Sequence, residues 1–122
     1  MANSYKDLRA WKQSVDLALE IYRETQTFPK NELYGLTSQL RRAAVSVPSN
    51  IADGKGRSSD KKLILFLHHS RGSLLELETQ LLIARELSYI KEPNVRHLLQ
   101  QVENLAKGLN ALINSLRKPV AA

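Results

Sequence analysis

The stretch SSDKKLILFLHHSRGSLLELETQLLIARELSY, residues 58–89, decides the fold. Within it Leu63, Phe66, Leu67, Ser70, Leu74, Leu77, Leu81, Ala84 and Leu87 recur at steps of three and four. That period puts them on one face of an α-helix, whereas a strand would alternate. Ser58, Ser59 and Asp60 precede the pattern and offer side-chain oxygens to the unpaired N–H groups of a first turn. The helix is expected to run to about Tyr89. Lys91-Glu92-Pro93-Asn94 then breaks it, with Pro93 suited to the first position of the next helix.

Similar patterns lie on both sides. Downstream, Val95, Leu98, Leu99, Val102, Leu105, Leu109, Leu112, Ile113 and Leu116 mark a fourth helix, with Pro119 as its stop. Upstream, Leu33, Leu36, Leu40, Ala43 or Ala44, Val47 and Ile51 mark a second helix that starts near Glu32. Pro48 falls inside it. Proline has no N–H to offer the carbonyl of Ala44, which predicts a kink rather than an end. Gly54-Lys55-Gly56 predicts the stop, through a glycine in the left-handed cap conformation. The first helix is predicted from about Tyr5 to Gln26, with Leu8, Trp11, Val15, Ala18, Leu19 and Tyr22 facing the core. Phe28-Pro29-Lys30-Asn31 closes it.

Four helices joined by a few residues each must run antiparallel to their neighbours. The expected architecture is therefore all-α: one domain over residues 1–122, an antiparallel up-down-up-down four-helix bundle. The apolar stripes are wider than a two-residue heptad seam. That width suits burial on a second side, as in an oligomer, and also a compact monomer.

The chain has no cysteine, which excludes disulfides, thiolate metal sites and cysteine nucleophiles. No apolar run approaches the ~20 residues of a membrane span. The polar start, Met1 to Arg9, lacks a signal-peptide core, so the cytoplasm is the expected location. His68 and His69 are adjacent on a helix and point about 100° apart, a poor arrangement for one metal. No Glu-x-x-His or His-Glu-x-x-His occurs. Gly54 to Ser59 fails the spacing of a phosphate-binding loop and joins two helices rather than following a strand. No Gly-x-Ser-x-Gly is present, and the carboxylates of Glu76 and Glu78 diverge on a helix. Accordingly, the chain is expected to be no enzyme and to need no metal or cofactor. Glu76, set among Leu74, Leu75 and Leu77, is expected to be partly buried with Arg41 or Arg42 as its partner.

The formal net charge is +6, a balance that favours polyanionic partners. Its distribution is uneven. Residues 1–40 carry five basic and five acidic side chains, and residues 63–122 carry seven and five. Residues 41–62 carry Arg41, Arg42, Lys55, Arg57, Lys61 and Lys62 against Asp53 and Asp60. These six cations are the candidate nucleic-acid-binding residues; the plain alternative is a solvated loop and helix face. In an up-down-up-down bundle both termini join the second-to-third helix link at one end. That end collects Lys6, Arg9, Lys55, Arg57, Lys61, Lys62, Arg117 and Lys118 against Asp7, Asp53 and Asp60. At the other end Arg23, Lys30, Arg85, Lys91 and Arg96 are balanced by Glu20, Glu24, Glu32, Glu86 and Glu92. Few exposed aromatics are expected beside the cations, so a base-stacking platform for single strands is not indicated.

Several of these residues form a recognisable string. Phe28-Pro29, Glu32, Tyr34-Gly35-Leu36, Gln39-Leu40-Arg41-Arg42-Ala43, Ser46-Val47-Pro48-Ser49-Asn50-Ile51-Ala52 and Gly54 resemble the signature of the bacterial four-helix bundle proteins, also called 23S ribosomal RNA intervening-sequence proteins. Trp11, Phe66-Leu67, Gly72-Ser73 and Glu76-Leu77 fit the same pattern. The resemblance implies an antiparallel bundle that assembles as a homopentamer. It also implies a nucleic-acid-binding accessory role, as in related retroelement factors, with RNA or DNA as the partner. The alternative is an oligomeric scaffold whose partner is another protein. Asp53 departs from the family's usual glutamate, and His69-Ser70-Arg71 from the small apolar residue usual before Gly72. In physical terms, Gly35 and Gly72 are expected to allow close helix approach. Ser46 and Asn50 are expected to satisfy the carbonyl that Pro48 frees.

Overall fold

The computed structural model describes residues 4–117. A 3-10 turn, Tyr5–Asp7, leads into helix α1, Arg9–Thr25. A second 3-10 turn, Lys30–Glu32, precedes α2, Leu36–Lys55; α3, Asp60–Glu86, and α4, Glu92–Leu116, follow. The expected stop at Pro119 and the cation Lys118 lie outside the described residues. Each helix packs on its sequence neighbours, and α4 returns to α1, so the four enclose one core. The α2–α3 pair forms the most extensive contact. The bundle is therefore the expected up-down-up-down arrangement.

Fully buried leucines and isoleucines from every helix fill the centre, among them Leu17, Ile21, Leu40, Ile51, Leu67, Leu77, Leu105 and Leu109. The stripes predicted for the third and fourth helices match this core closely, except that Phe66, Leu99, Leu112 and Leu116 are half-buried and Leu87 exposed. The first helix differs. Its core face is Ala10, Ser14, Leu17, Ala18, Ile21 and Thr25, while Leu19 is 49% exposed and Tyr22 42%. Ser14 and Thr25 sit on the core face because their hydroxyls bond back to the carbonyls of Trp11 and Ile21, both at 2.7 Å. Of the side chains expected inside, Ala18 is buried and Leu8 and Trp11 pack partly buried against the core, whereas Val15 is half-buried and Leu19 and Tyr22 turn outward. The first and second helices also start later than expected, at Arg9 and Leu36, each behind a 3-10 turn. Leu33, outside α2, is accordingly exposed.

Ends and glycines correct three further expectations. α2 continues through Pro48, as expected, but its cap Gly56, with a φ of −76°, is right-handed. The left-handed cap occurs instead at Ser88, φ 60°, after α3. There the N–H of Tyr89 reaches the carbonyl of Ala84 and that of Ser88 reaches Arg85, both at 3.0 Å. This is the paired hydrogen-bond pattern usually closed by glycine. Pro93 takes a first-turn position, but Glu92 begins the helix. Ser46 and Asn50 do not turn to the carbonyl of Ala44. The Asn50 amide donates to the Ser46 carbonyl at 2.9 Å and to its hydroxyl at 3.0 Å, and that hydroxyl meets the Ser73 hydroxyl at 2.8 Å.

The close helix approach lies at Gly54. A Cβ on Gly72 would meet nothing within 4 Å, and one on Gly35 would press on the nearby Glu32 carboxylate, in its own link and not on a neighbouring helix. A Cβ on Gly54 would stand 2.6 Å from the Cβ of Phe66, an atom fixed to the backbone of α3. Substitution must therefore part α2 from α3. Gly54→Val is expected to lower stability by about 1–3 kcal/mol, the usual cost of overpacking. An earlier urea midpoint with an unchanged slope would show this; a midpoint at or above the parent's would mean that the helices separate freely.

Candidate nucleic-acid interface

The six candidate cations do not form one patch. Arg41 and Lys55 are separated along α2 by about 21 Å at 1.5 Å per residue. Arg41 is turned towards α1. Its Nε donates to the Thr25 hydroxyl at 2.8 Å, and the guanidinium lies 4.8 Å from the Tyr22 ring centroid. It also donates to the Tyr22 carbonyl at 3.4 Å, so it holds the last turn of α1 against α2. Arg42 is exposed on the α2–α3 groove, which it shares with Gln39, Ser46, Ser73 and Glu76. Glu76 is exposed rather than partly buried, and the ion pairs of the described residues do not join it to Arg41 or Arg42.

The other four gather at the α2–α3 link. Lys55 closes α2, Arg57 lies in the link, and Lys61 and Lys62 occupy the first turn of α3. The Ser59 hydroxyl caps that turn by accepting from the Lys62 N–H at 3.2 Å. Arg57 is held twice: it pairs with Asp53 at 2.9 Å and lies over the Phe66 ring, 4.7 Å from its centroid. The shorter carboxylate at 53 thus still reaches a partner one turn on. Lys55, Lys61 and Lys62 have no ion-pair partner among the described residues. Their charge is projected into solvent instead of being neutralised.

Neighbouring elements extend this end. The 3-10 turn with Lys6 packs on α1 and α2, and Arg9 opens α1. Arg117, capping α4, donates to Nε2 of His68 at 2.9 Å. Partial burial, then the positive charges of Arg71 and Arg117, hold the His68 imidazole below its ordinary range. A neutral ring has the free lone pair that the Arg117 contact requires. The histidines are dispersed: His69 lies edge-on to Phe66 and His97 faces Glu20. Among the described residues, no group of three or more histidine or acidic side chains is placed to hold a metal ion.

The opposite end is closed and balanced. Arg85 pairs with Glu86, and Arg96 with Glu92. Glu32 accepts from the Tyr89 hydroxyl at 2.8 Å and from the Leu36 N–H at 3.2 Å, tying the two links at this end together. That hydrogen bond, with burial and the carboxylate charge, raises the Tyr89 phenol above its usual range. Phe28 packs on the Tyr89 ring, and Asn94 donates to Glu24. Sequence periodicity gave no signal for the Glu32–Tyr89 bond, because the partners are distant in the chain.

The model of the 23S rRNA-intervening sequence protein family matches residues 6–111, a span that contains most of all four helices. The chain belongs to this family. A crystal structure of a protein of unknown function from the S23 ribosomal protein family of Bacteroides thetaiotaomicron is similar in fold, with a TM-score of 0.77. It is 19% identical, and the match covers 85% of this chain and 97% of that one. Among curated proteins none matches. In this intervening-sequence protein the quoted signature is largely structural: Arg41 staples α1, Gly54 admits α3, and Glu32 joins two links. Among the described residues, no helix is long and apolar enough to cross a membrane.

Proposed function

We propose that this intervening-sequence protein is a non-enzymatic, homo-oligomeric accessory protein of the cytoplasm that binds structured RNA through the basic end of its bundle. One observation carries the reading. Lys55, Arg57, Lys61 and Lys62 converge at the α2–α3 link, beside Lys6, Arg9 and Arg117, while at the other end five cations are matched in number by five carboxylates, two of them in direct pairs. The family description, which connects its members with 23S rRNA, supports RNA as the polyanion. Exposed large apolar side chains, among them Leu19, Leu75 and Leu82, support assembly. In a pentamer of parallel subunits, basic ends would share one rim, and their fields would add within a screening length of about 8–10 Å.

The test is RNA binding across a salt series. Four phosphate contacts per subunit predict a slope of log affinity on log salt of about −3 to −4, or roughly a 100-fold loss between 50 and 200 mM salt. Absence of binding at low salt would favour the second reading, a protein scaffold. That reading draws on Tyr34, 94% exposed at the neutral end next to exposed Leu33.

A further inference from the structure

Between α1 and α4, next to the basic end, lies a groove of about 430 Å³. Leu8 and Leu112 give it apolar walls, and Arg9, Gln13, Asn104 and Lys107 supply its polar groups. Among the described residues no carboxylate lines it. Asp16 of α1 and Glu103 of α4 stand further along, towards the neutral end.

Gly108, which also lines the groove, lies inside α4, where glycine is less favourable than any residue but proline. Its φ is not positive, and a Cβ there would come no closer than 4.0 Å to the Gln13 Oε1, an ordinary contact. Neither the backbone nor the packing of α4 on α1 requires a glycine. What the missing side chain leaves is open space in the groove. Gln13 is half-buried, and no hydrogen bond among the described residues engages its amide, which carries a donor and an acceptor side by side. Asn104 accepts from Gln100 at 3.0 Å, which leaves its NH2 group to donate. Lys107 is tied to Glu103 at 3.4 Å, whereas Arg9 has no ion-pair partner among the described residues.

Apolar walls, a free amide and an unpaired guanidinium suit one chemical class: a planar heterocycle with a phosphate attached. A glutamine amide reads adenine, accepting from its N6 amine and donating to N7. Apolar side chains take the face of an unstacked base. We infer that the α1–α4 groove seats an unpaired adenosine nucleotide, with its base against Leu8, Leu112 and Gly108, its edge on Gln13 and its phosphate on Arg9. The inference rests on the RNA reading above and adds the feature of the RNA that is recognised, a bulged or looped adenosine beside the stem held by the basic end. It is a single slot with aliphatic walls, not an aromatic platform along a strand.

The experiment uses the full chain, Gly108→Leu, which fills the groove, and Gln13→Leu, which removes the amide. Circular dichroism checks that both variants stay helical; leucine is the better helix former at position 108. Fluorescence anisotropy at low salt reads binding to three hairpins with one stem: fully paired, with a bulged adenosine, and with a bulged uridine. The parent is expected to bind the adenosine bulge about tenfold more tightly than either other hairpin, and each variant to bind all three alike. A parent without that preference, or a preference that survives in either variant, would overturn the groove assignment and leave the basic-end reading standing. Failure to bind any hairpin would overturn the RNA reading itself, and labelled adenosine monophosphate then tests the groove separately. Binding that Gly108→Leu abolishes would keep the site as one for a free nucleotide; no binding, or binding unchanged in that variant, would overturn it as well.

Discussion

Reversing four cations at once, with Lys55→Glu, Arg57→Glu, Lys61→Glu and Lys62→Glu, is expected to reduce RNA affinity by at least about 100-fold at low salt and to flatten its salt dependence. The four residues lie at one end of the bundle, and each reversal replaces a phosphate-attracting charge by a repelling one. The variant should still fold. Lys61 and Lys62 are exposed in the first turn of α3, where acidic side chains favour the helix dipole by about 0.3–1 kcal/mol each. Lys55→Glu, in the last turn of α2, opposes the dipole by a similar amount. Arg57→Glu gives up an exposed pair with Asp53, of a kind that contributes little, and a cation–π contact with Phe66 of about 0.5–1 kcal/mol at an exposed site. Binding to a structured RNA and far-UV circular dichroism would be measured on the same preparation. Unchanged affinity in a folded variant would remove the α2–α3 link from the interface.

The largest stability effect is expected in the core. Leu77 is fully buried, and Leu77→Ala should cost about 2–5 kcal/mol, through lost apolar transfer and the cavity left behind. For a chain of this size that corresponds to a fall of roughly 8–20 °C in melting temperature. Leu40, equally buried on α2, should behave alike. Pro48→Ala should be tolerated far better, although Pro48 is also buried. Alanine restores an N–H for the carbonyl of Ala44 and escapes a penalty of about 3 kcal/mol for proline inside a helix. Against this stands the lost packing of about two ring methylenes, at roughly 0.8 kcal/mol each. Parallel thermal melts at one protein concentration would order the variants. Pro48→Ala melting below Leu77→Ala would show that the ring itself is required for α2 to meet its neighbours.

Helix number, order and direction were legible in the chain because each depends on local signals. Three- and four-residue spacing marks a helix wherever it falls, Ser59 supplies a cap, and Pro29 and Pro93 fall at links. The links are too short for anything but antiparallel neighbours. The charge difference between the two ends followed directly, since it needs only that direction. The grouping of the six cations was less legible. Arg41 and Arg42 are close in sequence to Lys55 but about 20 Å away along a rigid helix, and Arg41 is turned towards Thr25 and Tyr22. Proximity in sequence does not give proximity in space once the intervening residues form a rod.

By itself the sequence determined the four amphipathic helices, their antiparallel order, the core faces of the third and fourth, and a net positive end. Only the tertiary structure decided which face of α1 points inward. That helix has apolar residues on two adjacent faces, and periodicity alone favours the face with Trp11, Leu19 and Tyr22 because its side chains are larger. Packing selected the face of Ala10, Ser14 and Ala18, whose small side chains let neighbouring helices close around Leu17 and Ile21. The same reason explains Gly54: its need for no side chain comes from Phe66 on α3, a residue distant in sequence. Local pattern measures how a segment divides between apolar and polar, whereas the volume available at each position is set by the elements packed against it.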